Sequence, residues 1–154
     1  MSERAKSHRL RKGRYSEKGR AYHVTTTTYN RMPLFQDWRL GRFVVHALRH
    51  SQNQNQAETL AFVVMPDHLH WLFMLGNALS LSTLMSRLKG RSGRQVRQTL
   101  GAARPTWQHG FYDHAIRRDE DLRATARYIV ANPLRAGLVT DIGDYPLWDA
   151  VWLP

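Results

Sequence analysis

Two apolar runs in this chain, residues 59–65 and 68–75, are separated by nothing more than Pro66 and Asp67. Both are rich in aliphatic, β-branched and aromatic residues, which suit a pleated, buried surface. Proline cannot donate to a strand ladder, and with Asp67 it punctuates the sequence as a turn. The spacing predicts an antiparallel hairpin closed by Met65, Pro66 and Asp67. The second strand opens His68-Leu69-His70. Strand residues i and i+2 point to one face, roughly 6 to 7 Å apart, so His68, His70, Leu72 and Met74 share one face and Leu69, Trp71, Phe73 and Leu75 the other. Two imidazoles so placed can hold one divalent ion from a rigid support. They can equally be two half-buried polar residues of a sheet.

The segments around the hairpin read in the same way. Val24 and the four threonines that follow predict a strand over 22–29. Asp37 can cap a helix running to about Gln52, in which Leu40, Phe43, Val44, Ala47 and Leu48 recur at helical spacing. Residues 51–56 are polar and turn-like. Ser80 caps an expected helix through about Thr99 with Leu81, Leu84, Met85 and Leu88 inward; Gly90 and Gly93 weaken its middle. After a loop over 101–110, residues 111–117 read as a fourth strand. Asp119, Glu120 and Asp121 then stand where a helix start favours negative charge, ahead of Leu122, Ala126, Ile129 and Val130. Pro133 disfavours α geometry at Asn132, and 134–139 read as one more short helical turn ending near Gly137. Tyr145, Pro146, Trp148 and Trp152 give the tail enough aromatic surface to pack back on the body. The order strand, helix, strand, strand, helix, strand, helix is the split βαβ pattern of a ferredoxin-like α+β fold, an antiparallel sheet with helices packed on it.

The 154 residues suffice for one domain with a core, and the expected division is a basic flexible arm over 1–20 and a folded domain over 21–154. The absence of cysteine excludes disulfides, thiolate metal sites and cysteine nucleophiles. No apolar run approaches a membrane span and the basic N-terminus lacks a signal peptide's apolar stretch, so a soluble, cytoplasmic chain is expected. The formal charge of +11 is concentrated: residues 1–20 carry +6, residues 84–106 another +6, and the remainder −1. Clustering of this kind suits a polyanion that crosses the surface on a defined path, with nucleic acid favoured over a merely solubilising surface. In the arm, Arg11, Lys12, Arg14, Lys18 and Arg20 can follow phosphates while Tyr15 offers a stacking face. Arg87, Lys89, Arg91 and Arg94 form the second cluster, on the outward side of the second helix.

Tyr128 and Asn132 are four residues apart, on one face of the last long helix. If that helix brings the phenol to the histidine strand, the chain has the parts of a phosphoryl-transfer centre. A metal held by two imidazoles and an oxygen ligand polarises a phosphoryl group, and tyrosine serves as nucleophile. Mixed nitrogen and oxygen ligands fit Mg²⁺ or Mn²⁺, with zinc left open by ligand type alone.

Two blocks carry a resemblance. Val64-Met65-Pro66-Asp67-His68-Leu69-His70-Trp71-Leu72, followed some sixty residues on by Ala126-Arg127-Tyr128-Ile129-Val130-Ala131-Asn132-Pro133-Leu134-Arg135-Ala136-Gly137-Leu138-Val139, resembles the REP-associated tyrosine transposases of the HUH single-tyrosine superfamily. The likeness runs from about Gly19 to the tail, through Trp107-Gln108, Tyr112-Asp113-His114 and Tyr145-Pro146 with Trp148. It implies the HUH nuclease fold, a divalent metal on His68, His70 and Asn132, and Tyr128 as the nucleophile that leaves a 5′-phosphotyrosine and a free 3′-OH. It further implies cleavage and rejoining of single-stranded DNA at REP-type palindromic hairpins without ATP, by a chain more often monomer than dimer.

Rival readings of single residues stay open. Tyr128 could be a core tyrosine, with Tyr112, near His109 and His114, as the alternative nucleophile. Asn132 could simply close its helix before Pro133. His114 could be a substrate residue or an ordinary surface histidine. Arg117, Arg118 and Arg127 could steady phosphates, although Arg118 and Arg127 could pair with Asp119, Glu120 or Asp121. At the level of the whole chain, a ferredoxin-like module that binds nucleic acid without catalysis is the alternative, as is an HUH initiator of replication or conjugation.

Overall fold

The computed structural model describes residues 19–117 and 120–152. Five strands form one antiparallel sheet: β1 (Ala21–Thr27), β2 (Ala57–Met65), β3 (His68–Leu75), β4 (Tyr112–Ala115) and β5 (Trp148–Ala150), in the order β4-β1-β3-β2-β5. The β2–β3 hairpin turns at Pro66 and Asp67 with Met65 opposite His68. Strand β1 occupies the other side of β3, pairing Thr27 with His68, Thr25 with His70 and His23 with Leu72. The first four strands have the ferredoxin-like order, and β5 extends the sheet beyond β2.

Local signals account for the helices. Helix α1 (Trp38–Asn53) starts where Asp37 accepts the Arg39 backbone N–H at 3.0 Å, and α2 (Leu81–Leu100) starts at Ser80 and stops at Gly101, whose φ of 63° is cheap only for glycine. Helix α3 (Leu122–Val130) is capped by Asp121, and a single further turn, α4 (Asn132–Arg135), follows. Pro133 falls in the first turn of α4, where its missing N–H costs nothing.

The alternation of β3 divides the core in two. Leu69, Trp71, Phe73 and Leu75 face α1 and α2, joining Val24, Val44, Leu48, Leu84, Met85 and Leu88 in one buried layer. Trp71 is fully buried and satisfies its indole N–H on the Thr59 hydroxyl at 3.0 Å; truncating such a side chain costs about 3–5 kcal/mol. On the other face Ala61, Val63, Met65 and Leu72 meet Ala126 and Ile129 of α3.

Several expectations are corrected in detail. The first strand ends at Thr27, and Tyr29–Arg31 forms a 3-10 turn in which Asn30 and Arg31 have positive φ. Helix α2 keeps its expected course through Gly90 and Gly93, and Gly93 is buried where Thr106 closes on it, its carbonyl accepting the Thr106 hydroxyl at 3.1 Å. The expected short turn over 134–139 lies two residues earlier, at Asn132–Arg135, followed by Gly137 with φ of 73°. The aromatic tail adds a strand, β5, which sequence reading took only as packing. Gly19 and Arg20, assigned to the arm, are tied to Leu75 through backbone hydrogen bonds. Arg11, Lys12, Arg14, Tyr15, Lys18 and Arg118 lie outside the described residues.

Candidate functional site

Three cross-strand rows build the site on the α3 face of the sheet. One holds Met65, His68 and Thr27, the next Val63, His70, Thr25 and Tyr112, and the third Ala61, Leu72, His23 and His114. Helix α3 lies over β2 and reaches β3 and β5, so it covers the apolar end of each row and leaves the histidine end beside it. Position along a row, not distance in sequence, gathers these side chains.

His68 and His70 meet edge to face, their ring centroids 4.9 Å apart. Each is held through Nδ1. His68 Nδ1 lies 2.7 Å from a carboxylate oxygen of Asp67, whose other oxygen accepts from Arg31 Nε at 2.9 Å. His70 Nδ1 lies 3.0 Å from His23 Nε2 and 3.1 Å from the Thr25 hydroxyl. Both Nε2 atoms are thereby left for a ligand. The positive φ of Arg31, 55°, belongs to the turn that presents its guanidinium to Asp67.

Electrostatics keeps these rings neutral. Burial pushes His70 down to about 3, assisted by His68, His23 and Arg135, and pushes His23 down to about 4, assisted by His114. His68 is lowered by burial, against the opposing pull of Asp67. For Asp67 burial acts upward, but the hydrogen bonds from His68 and Arg31 outweigh it and hold the carboxyl below its ordinary range. A neutral imidazole with Nδ1 engaged and Nε2 open is the form that ligates a metal.

The donor set fits a divalent ion in part. His68 and His70 supply two nitrogens, and Thr27, opposite His68, has a buried hydroxyl oxygen with no hydrogen-bond partner among the described residues. No third histidine or carboxylate joins them there within the described residues. The remaining ligands would be neutral or substrate oxygens, which favours a hard cation over zinc in a closed site.

Tyr128 projects from α3 with 58% of its surface exposed, which excludes the core-tyrosine reading. Its ring packs under the Arg135 guanidinium at 4.0 Å, and Arg135 also donates to the Tyr128 carbonyl at 2.7 Å. The Arg135 charge is also felt at His70, whose protonated form it disfavours. Sequence reading passed over Arg135, although it lies inside the second motif block, and passed over His23, Thr25 and Arg31, which lie outside both blocks and are brought in by strand register and by the turn after β1. Asn132 is engaged at the helix end, its Nδ2 donating to the Ile129 carbonyl at 2.8 Å. Tyr112 shares the His70 row two strands away, about 10 Å by sheet spacing. His114 is exposed and bonded to Glu120 at 3.0 Å.

The expected basic cluster divides. Arg87, Arg91 and Arg94 line a groove of about 410 Å³ between α1 and α2 with His50. This lies on the side of the sheet opposite the histidines, so a ligand touching both must pass round an edge. Lys89 leaves the outward set, its ammonium donating to the carbonyls of Gln108 and Gly110 at 2.6 and 2.7 Å. Arg20 Nε is directed to the Ile116 carbonyl at 3.4 Å, and Arg117 is paired with Glu120 at 3.5 Å. Arg127 meets Asp121 at 3.9 Å. A second basic feature was missed: Arg39, Arg42 and Arg49 recur along the exposed side of α1, two of them over the ring of Trp38. Window counts of charge conceal it, because acids elsewhere in the remainder cancel these arginines.

Comparison with known proteins gives concordant results. The family model described as Transposase IS200 like matches residues 17–132. A REP-associated tyrosine transposase of Escherichia coli (strain K12) is 29% identical over 136 residues, 86% of this chain and 78% of that protein. A candidate REP-associated tyrosine transposase of Haemophilus influenzae is 32% identical over 99 residues, 58% of this chain and 56% of that protein, so the match spans little more than half of that relative. The solved structure of a REP-associated tyrosine transposase bound to a REP hairpin aligns with a TM-score of 0.68 at 28% identity, over 88% of this chain and 79% of that one. A candidate transposase of Deinococcus radiodurans R1 aligns with a TM-score of 0.55 at 23% identity, over 73% and 88% of the two chains, a likeness of fold. No helix of the described residues is long and apolar enough to cross a membrane.

Proposed function

The chain belongs to the family of IS200-like transposases, and from that premise we propose that it cuts and rejoins single-stranded DNA beside REP-type palindromic hairpins, with Tyr128 as nucleophile. The observation that carries this reading is the presence of two inward-tethered, neutral imidazoles on the sheet face that α3 covers, together with an exposed tyrosine on α3 whose ring packs under Arg135, a charge also felt at His70. The hairpin target follows the relatives named for it.

In the proposed reaction Tyr128 Oη gives up its proton and attacks a backbone phosphorus. The bond to the 3′-oxygen breaks, that oxygen takes a proton, and the 5′-phosphate remains on the tyrosine. A 3′-OH then attacks the phosphotyrosine and restores a phosphodiester, so the bond energy is retained and no nucleotide is consumed. His68 and His70, with Asn132 Oδ1 as the third ligand, would hold Mg²⁺ or Mn²⁺, which when bound supplies Lewis-acid polarisation of the phosphoryl oxygens. Arg135, beside the phenol ring, offers positive charge to the attacked phosphate and to the departing negative charge. The arm residues Arg11, Lys12, Arg14, Tyr15, Lys18 and Arg20, with Arg87, Arg91, Arg94, Arg117 and Arg118, would follow the DNA backbone. One chain carries all these groups, and a monomer acting in cis is the proposed form.

The test incubates the protein with Mn²⁺ and a labelled hairpin bearing a single-stranded flank, followed by a denaturing gel. Wild type should form a covalent adduct, and Tyr128→Phe should lose it while still binding the hairpin. Loss of the adduct in Tyr112→Phe with retention in Tyr128→Phe would transfer the role to β4. Binding with no adduct from the wild type would favour the non-catalytic module.

A further inference from the structure

His23 lies outside both motif blocks, yet it makes the shortest polar contact to His70, Nε2 to Nδ1 at 3.0 Å. The inference drawn from it rests on the metal role of His70 proposed above. An imidazole can ligate through Nε2 only if that atom carries no proton, so a neutral ligand must keep its proton on Nδ1. For His68 this is enforced by Asp67, an ionised carboxylate that can only accept. His70 has no carboxylate at its Nδ1. Its two partners, both on β1, are the Thr25 hydroxyl, directly opposite, and His23, two pairs further along on the same face, opposite Leu72.

These two partners are not equivalent. A hydroxyl rotates, and donates or accepts as required, so Thr25 accommodates either tautomer of His70. The facing imidazole does not. With its proton on Nδ1, His23 presents a lone pair at Nε2, accepts from His70 Nδ1–H, and leaves His70 Nε2 bare. With its proton on Nε2, it donates to His70 Nδ1 and forces the His70 proton onto the ligating atom.

We propose that His23 is a positioning residue that fixes the metal-competent tautomer and ring orientation of His70, the counterpart on β1 of Asp67 for His68. The ring contact supports this, with the two imidazole centroids 5.2 Å apart and tilted by 40°, as does the half-buried setting of both rings, which limits access of water to Nδ1. The site would then contain two differently supported ligands, one against an anion and one against a neutral ring.

Two readouts on the full chain test this. Nitrogen-15 NMR of the metal-free protein should find His70 with its proton on Nδ1, and His23→Ala should give a mixture of tautomers or the Nε2–H form. Calorimetric titration with Mn²⁺ alone should show affinity reduced about 10- to 100-fold in His23→Ala. His23→Gln, whose amide oxygen can accept in place of Nε2, should recover most of that loss. Adding Thr25→Val to His23→Ala should weaken binding further. If His70→Ala weakens Mn²⁺ binding while His23→Ala binds as wild type and keeps the His70 proton on Nδ1, this inference falls and the metal reading stands. If His70→Ala binds Mn²⁺ like wild type, both fall together.

Discussion

Acidification from pH 7.5 to pH 5 should remove about 4 kcal/mol of folding stability through two side chains, His23 and His70. Both have folded values far below the ordinary 6.5, about 4 and about 3, because burial opposes their charged forms. For a base lowered in this way, the unfolded chain binds more protons than the fold between about 6.5 and the folded value. Stability is therefore full above that window and declines as pH falls into it. At pH 5 an unfolded imidazole gains RT ln(1 + 10^1.5), about 2 kcal/mol, while a folded one at about 4 or about 3 gains almost nothing. Two such groups give about 4 kcal/mol, a limiting slope near 2.7 kcal/mol per pH unit, and a melting-temperature drop of roughly 8–16 °C for a chain of this size. The figure depends on the unfolded value, not on how far below 5 the folded ones lie. Asp67 and Glu120 are lowered from 3.8 and 4.5, Asp67 by its bonds to His68 and Arg31, Glu120 by the Arg117 backbone and His114. Their stabilisation is lost mainly below pH 5, so it scarcely enters this interval. The assay is urea denaturation at both pH values in chelator, on wild type and on a His23→Gln/His70→Gln variant. The variant should lose about 4 kcal/mol of the dependence, keeping only the further fall in the same direction from His68, which burial also lowers. An equal fall in both proteins, or a measured His70 titration near 6.5, would refute the reasoning.

Three other outcomes are expected. Lys89→Met, which strands the carbonyls of Gln108 and Gly110, should cost about 2–4 kcal/mol in denaturant unfolding, whereas Arg91→Met, on the exposed side of the same helix, should stay within about 0.5 kcal/mol. Gly90→Ala, whose added Cβ meets nothing within 4 Å, should stabilise α2 by about 0.5–1 kcal/mol; Gly41→Ala, driven against Leu147, should destabilise by about 1–3 kcal/mol in the same assay. Replacing Arg87, Arg91 and Arg94 together by alanine should reduce the slope of log affinity against log salt for single-stranded DNA by about 2 if all three neutralise phosphates, and an unchanged slope would remove the α1–α2 groove from the DNA path.

The fold was largely legible because its signals are local. Period-two alternation in β3, period 3.6 in α1 and α2, and the caps Asp37, Ser80 and Asp121 each act within a few residues, and a turn at Pro66 and Asp67 leaves the hairpin one geometry. What was missed lacked such a signal. Strand β5 is three residues long and exists because β2 offers it an unpaired edge. The course of α2, by contrast, was expected, and burial against Trp107 and Thr106 offsets the cost of its two glycines.

The sequence by itself determined which side chains could form a centre: the His-x-His pair on one strand face, and the tyrosine with an asparagine one turn later on a helix. Only the tertiary structure decided how they are supported and reached. The β1–β3 register set His23 and Thr25 against His70, the near-helical passage through Ala131 into α4 brought Arg135 over Tyr128, and layer order sent the Arg87 cluster to the far side of the sheet. The physical reason is that strand and helix periodicity fix directions along one element, whereas register and layer order arise from burying two sheet faces at once, a property of the whole chain.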